Sequence, residues 1–102
     1  MSQTGISTES VDKVKDDLYE PGMFHVVFIN DNYTPMDFVT EVLMKIFGKT
    51  EAEAVRIMMK VHNDGQGIAG TYIEDVALTK SEITNKVAKE NGFPLKTKVQ
   101  PV

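Results

Sequence analysis

The sequence predicts an α+β fold, a compact β-α-α-β-α-β sandwich with a three-stranded antiparallel sheet and three helices on one face. Three observations carry this. Residues 24–29 form a short apolar run, rich in β-branched and aromatic residues and bounded by turn formers, which suits a strand buried on both faces. Two stretches of helical spacing follow, joined by so short a link that they must pack as an antiparallel hairpin. Two alternating stretches then flank a third helical one, and strands with helices on one side make two layers around one core.

The first strand ends where Asn30, Asp31 and Asn32 arrive together, because such side chains hydrogen-bond their own backbone. Thr34-Pro35 reads as a helix start, with Thr34 as N-cap and Pro35 at the first helical position. Val39, Val42, Leu43 and Ile46 then give a helical stripe over 35–47, which Gly48 ends. Thr50 with Glu53 forms a capping box for a second helix. Its apolar side is read from Val55, Met58, Met59, Val61 and His62, and Asn63-Asp64-Gly65 stops it. Residues 66–73 alternate as a strand, and the glycines at 65, 67 and 70 predict a bulge or a close backbone approach. A third helix covers 74–91, with Glu74 and Asp75 at its positive end and Val76, Ile83 and Val87 on its buried face. Residues 95–99 alternate as the last strand.

At 102 residues, with 41% hydrophobic and 25% charged residues, the chain is expected to hold one folded domain, residues 22–102. Residues 1–21 read as a disordered N-terminal extension: they are polar and carry two Lys against five Asp/Glu, a balance of −3 that leaves −1 for the rest. A net charge of −4 argues against a general nucleic-acid binder. The absence of cysteine excludes thiol chemistry and fits a reducing compartment. No stretch has the length and apolarity of a membrane span or a signal peptide. Neither His25 nor His62 has a ligand-like neighbour at helical spacing, so no metal and no cofactor are expected.

Each candidate group has a plain reading. Asn30, Asp31 and Asn32 make an ordinary Asx-type turn. His62 interacts with the carbonyls at its helix end. Met36, Val39, Met58 and Val61 are core. Packing of the hairpin, however, brings all three groups to one end of a cleft. An apolar cavity rimmed by acceptors suits a ligand with a bulky apolar part and a cationic head, as a peptide N-terminus followed by a large side chain has. Asp31 with His62 could make an acid/base pair. An enzyme is not expected, because there is no nucleophile elbow, phosphate loop or metal set beside them.

The stretch from Val27 to Val39, Val-Phe-Ile-Asn-Asp-Asn-Tyr-Thr-Pro-Met-Asp-Phe-Val, resembles the signature of ClpS, the adaptor of the ClpAP protease. Arg56-Ile57-Met58, Val61-His62, Gly67, Gly70, Val76-Ala77, Thr79-Lys80 and Pro94-Leu95 continue the pattern over residues 22–100. The resemblance implies a cytoplasmic, non-catalytic monomer that recognises proteins beginning with Leu, Phe, Tyr or Trp (N-end-rule substrates). It implies delivery of them to the unfoldase ClpA, through its N-terminal domain, for degradation by ClpP. Asn30, Asp31, Asn32 and His62 then match the group around the substrate's α-amino group. Phe28, Thr34, Met36, Val39, Met58, Val61 and Leu95 match the side-chain pocket, with Met36 the gatekeeper against β-branched residues. Asp75 and Lys80 match the surface that docks on ClpA, and residues 1–21 the extension used for delivery. The family often has Asp in place of Asn32 and Glu in place of Asp75.

Overall fold

The computed structural model describes residues 22–102; the expected N-terminal extension lies outside them. The element order is β1 (Met23–Ile29), α1 (Met36–Lys45), α2 (Glu51–Asp64), β2 (Gln66–Ile73), α3 (Glu74–Glu90) and β3 (Lys96–Pro101). β1 is the central strand and pairs antiparallel with β2 on one edge and β3 on the other. The fold is thus the α+β arrangement that the sequence predicts. No helix among the described residues is long and apolar enough to cross a membrane.

The centre of β1 explains its composition. Val26, Val27 and Phe28 are consecutive and all buried, so both faces of the strand are covered there. Val26 and Phe28 join the cluster that the helices complete with Val39, Val42, Leu43, Phe47, Ala54 and Val61. Phe28 meets Phe47 edge-to-face at 5.4 Å between ring centres, which ties β1 to the end of the first helix.

The glycines of β2 behave as their spacing predicts. The register against β1 slips between Val26 and Val27, so Ala69 is the extra residue of a bulge. At Gly67 a Cβ would meet Val61 Cγ2 at 3.0 Å, because β2 passes directly against α2. The absent side chain is what lets strand and helix approach.

Three expectations are corrected. Thr34 does not cap α1: Pro35 occupies the N-cap position without a side-chain bond, and the Thr34 hydroxyl turns back to Asp31. On α2 the buried residues are Ala54 and Val61, with Ile57 and Met58 half-buried, whereas Val55 and Met59 are exposed. On α3 the sheet-facing residues are Ala77, Ser81, Thr84 and Ala88, while Val76 and Ile83 face outward and Val87 is half-buried. Small residues let α3 lie close to the sheet. Their hydroxyls are satisfied locally, Thr84 donating to the Lys80 carbonyl at 2.8 Å and Ser81 pairing with Thr97. The capping box at Thr50 and Glu53 forms in full.

Candidate binding site

The site begins where β1 ends. The Asn30 N–H donates to the Gly65 carbonyl at 2.9 Å. Gly65 closes α2 in the left-handed conformation, φ 91°, which a residue with a Cβ adopts only at a cost. This one bond joins the exit of the central strand to the last turn of α2, where His62 sits. Asn30 and His62, 32 residues apart in sequence, thereby share one rim.

The loop between β1 and α1 is shaped by Asp31. Its Oδ1 accepts from the N–H groups of Tyr33 at 2.8 Å and Thr34 at 2.7 Å, and its Oδ2 from the Thr34 hydroxyl at 2.8 Å. Partial burial pushes the Asp31 carboxyl up, but the Thr34 and Tyr33 N–H groups and the Thr34 hydroxyl together outweigh it. Its pKa therefore lies below the usual carboxylate value, and it is ionised at neutral pH. The Asx-turn reading of this residue is therefore right for its geometry: Asp31 folds the loop that presents Asn30, Asn32 and Thr34.

A cavity of about 200 Å³ opens between this loop and the two helices. Asn30, Asp31, Asn32, Thr34, Met36, Val39, Met58, Val61 and His62 line it, and every one is a candidate from the sequence. Val39 and Val61 are nearly buried and form its apolar interior. Met36, exposed, and Met58, half-buried, are flexible thioethers that can adjust to a guest. The polar side chains bring acceptors. The cavity lies between the start of α1 beside Met36, the positive end of that helix dipole, and the end of α2 beside His62, the negative end. With the ionised Asp31, that second end favours a cationic or donor head.

The other candidates lie elsewhere. Phe28 is fully buried in the cluster that holds Val39 and Val61, and does not reach the cavity surface. Leu95 is also in that cluster, and borders a separate hollow with Phe93, Pro94 and Lys96. Asp75 and Lys80 border a shallow groove between α3 and the end of α1. Lys80 has a structural bond there: its ammonium donates to the Ile46 carbonyl at 2.7 Å and lies 5.4 Å from the Tyr72 ring centre. Among the described residues no three His, Asp or Glu side chains converge as a metal site would require.

Fold and site together define a small α+β domain with one acceptor-rimmed, apolar-floored cavity on its helical side. The comparisons give that class a family. The profile of ClpS, described as the ATP-dependent Clp protease adaptor protein, matches residues 19–98. The chain belongs to the ClpS family. The ATP-dependent Clp protease adapter protein ClpS of Wolinella succinogenes is 53% identical over 77 residues, 76% of this chain and 76% of the relative. That of Helicobacter hepaticus is 47% identical over 79 residues, 78% of this chain and 80% of the relative. The structure of Agrobacterium tumefaciens ClpS2 bound to L-phenylalaninamide matches with a TM-score of 0.78 and 36% identity, covering 81% of this chain and all of that one.

Proposed function

We propose that the protein binds free protein N-termini that begin with Leu, Phe, Tyr or Trp and delivers them to ClpA for degradation by ClpP, without chemistry of its own. The observation that supports this most is the cavity, apolar at Val39 and Val61 and rimmed by Asn30, Asn32 and His62. The ligand of the ClpS2 relative has the matching parts: a free α-amine, a large apolar side chain and an amide where the next peptide bond would be. In this chain the side chain enters between Met36 and Met58, and the amine meets the acceptors at the negative end of α2. Burying a large apolar side chain contributes ~1.5–3 kcal/mol. Hydrogen bonds to a charged amine add ~1.5–3 kcal/mol each. After association costs, affinity of micromolar order follows (about −8 kcal/mol), which allows cargo to be released.

Asp75 and Lys80 mark the surface offered to the ClpA N-terminal domain, and the protein works as a cytoplasmic monomer. Reconstituted degradation tests the reading. A reporter beginning with Leu should be degraded by ClpAP markedly faster with the protein present, and the same reporter beginning with acetylated Leu should not. Equal rates for both reporters would refute it.

A further inference from the structure

Met36 and Met58 are the two sulfur side chains that line the cavity. Met36 is 44% exposed and Met58 half-buried, so water and small solutes reach both. The chain has no cysteine and no tryptophan. A peroxide that meets this protein therefore finds no thiol to consume it, and the accessible thioethers react in its place. Met44 and Met59 are nearly as open to solvent, at 39% each, but neither lines the cavity. The cavity thus holds two of the chain's most oxidisable atoms, and the exposed helix surfaces hold two more that serve as internal references.

We propose that Met36 and Met58 form a reversible oxidation site that controls cargo binding; this rests on the binding reading above. The oxidant is a hydroperoxide. The thioether sulfur attacks one peroxide oxygen, and the O–O bond breaks. That oxygen stays on sulfur, its proton passes to the departing hydroxide, and water leaves. Sulfur loses two electrons and the peroxide gains them. The product matters because of where it sits. Val39 and Val61 make the cavity interior apolar, and the polar atoms of Asn30, Asp31, Asn32 and His62 lie on its rim. A sulfoxide adds a strong acceptor to the thioether side, where a Leu or Phe side chain has no hydrogen to donate. Its water must be shed when that side chain comes against it. A bound side chain in turn covers both sulfurs and keeps peroxide from them. Sulfoxide reduction by methionine sulfoxide reductases returns the thioether and with it the binding surface.

The test treats the full chain with hydrogen peroxide and follows each methionine by peptide mass spectrometry. A saturating Leu-initiated peptide should slow oxidation of Met36 and Met58 several-fold and leave Met44 and Met59 unchanged. Affinity of the oxidised chain for that peptide should fall about tenfold, and methionine sulfoxide reductases with dithiothreitol should restore it. Met44→Leu with Met59→Leu removes the two references outside the cavity, so this chain should bind as the parent does and lose as much on oxidation. Met36→Leu with Met58→Leu should give one affinity, whatever its value, before and after peroxide. Should that pair fail to fold, the Met44→Leu, Met59→Leu chain and the reductase carry the test. Unchanged affinity in a chain whose Met36 and Met58 are sulfoxides would overturn the proposal. So would a peptide that binds but does not slow their oxidation, or an equal loss in the folded Met36→Leu, Met58→Leu chain. A parent that binds no such peptide before oxidation would overturn the binding reading itself, and this proposal with it.

Discussion

Asp31 accepts three hydrogen bonds, all from its own loop, and among the described residues has no partner outside it, so its replacement measures what loop order contributes to binding. In Asp31→Ala the Tyr33 and Thr34 N–H groups and the Thr34 hydroxyl lose their acceptor. Bonds to a charged acceptor are worth ~1.5–3 kcal/mol each where water is excluded. Asp31 is only half-buried and water replaces much of that, so the loss should resemble that of a helix cap, about 1–2 kcal/mol. For a domain of this size each kcal/mol lowers Tm by about 4–8 °C. Affinity for a Leu-initiated peptide, read by fluorescence anisotropy, should fall more than stability alone explains, because Asn30, Asn32 and Thr34 lose their fixed positions. Asp31→Asn keeps one acceptor oxygen and should lie between the two. The pH dependence has a definite sign. The folded pKa is depressed, so the contribution is fully present above the ordinary carboxylate value near ~4 and is lost as pH falls through the lower folded value. Parent and Asp31→Ala stabilities should therefore differ by a constant amount above about pH 5 and converge only under acid. A variant that melts and binds like the parent would refute the loop-ordering role. So would a stability gap that closes near neutral pH.

Three further substitutions probe the cavity and its scaffold. Met36→Ala should admit peptides beginning with Ile or Val while keeping Leu and Phe; equal loss of all of them in anisotropy titrations would make Met36 a packing residue only. Asn32→Asp places a carboxylate at the rim and should tighten binding several-fold, by about 1 kcal/mol, and more at low salt; an unchanged dissociation constant would mean the Asp31 charge already suffices. Gly67→Ala forces a methyl against Val61 and should destabilise by ~1–3 kcal/mol in urea melts, with weaker peptide binding because Val61 lines the cavity.

How much of this is legible in the sequence differs by element. The strand 24–29 and its polar exit are plain, because a short β-branched run ended by Asn-Asp-Asn has few other solutions, and the capping box and bulge glycines have local causes. The cavity lining is legible for the same reason: its residues cluster at two short segments that the hairpin must bring together. The buried side of α3 is not, because periodicity weighted by hydrophobicity selects Val76 and Ile83, whereas close packing on a sheet selects Ala77, Ser81, Thr84 and Ala88. The placement of Thr34 turns on a competition between two good partners, the free N–H groups of α1 and the Asp31 carboxylate, and a charged acceptor three residues away wins. That signal was present as an Asx-turn pattern at Asp31. Lys80 seeking the Ile46 carbonyl, 34 residues distant, has no local signal at all.

The binding reading is tested most directly by calorimetric titration of the full chain with L-phenylalaninamide and with its N-acetyl derivative. The two share the ring and the amide and differ only in the amine. The free amine should bind with micromolar affinity, and the acetylated compound should be weaker by a factor of ten or more, the cost of about 1.4 kcal/mol or greater for losing charge-assisted hydrogen bonds at Asn30 and His62. Equal affinities, or no binding of the free amine, would contradict recognition of a protein N-terminus in this cavity.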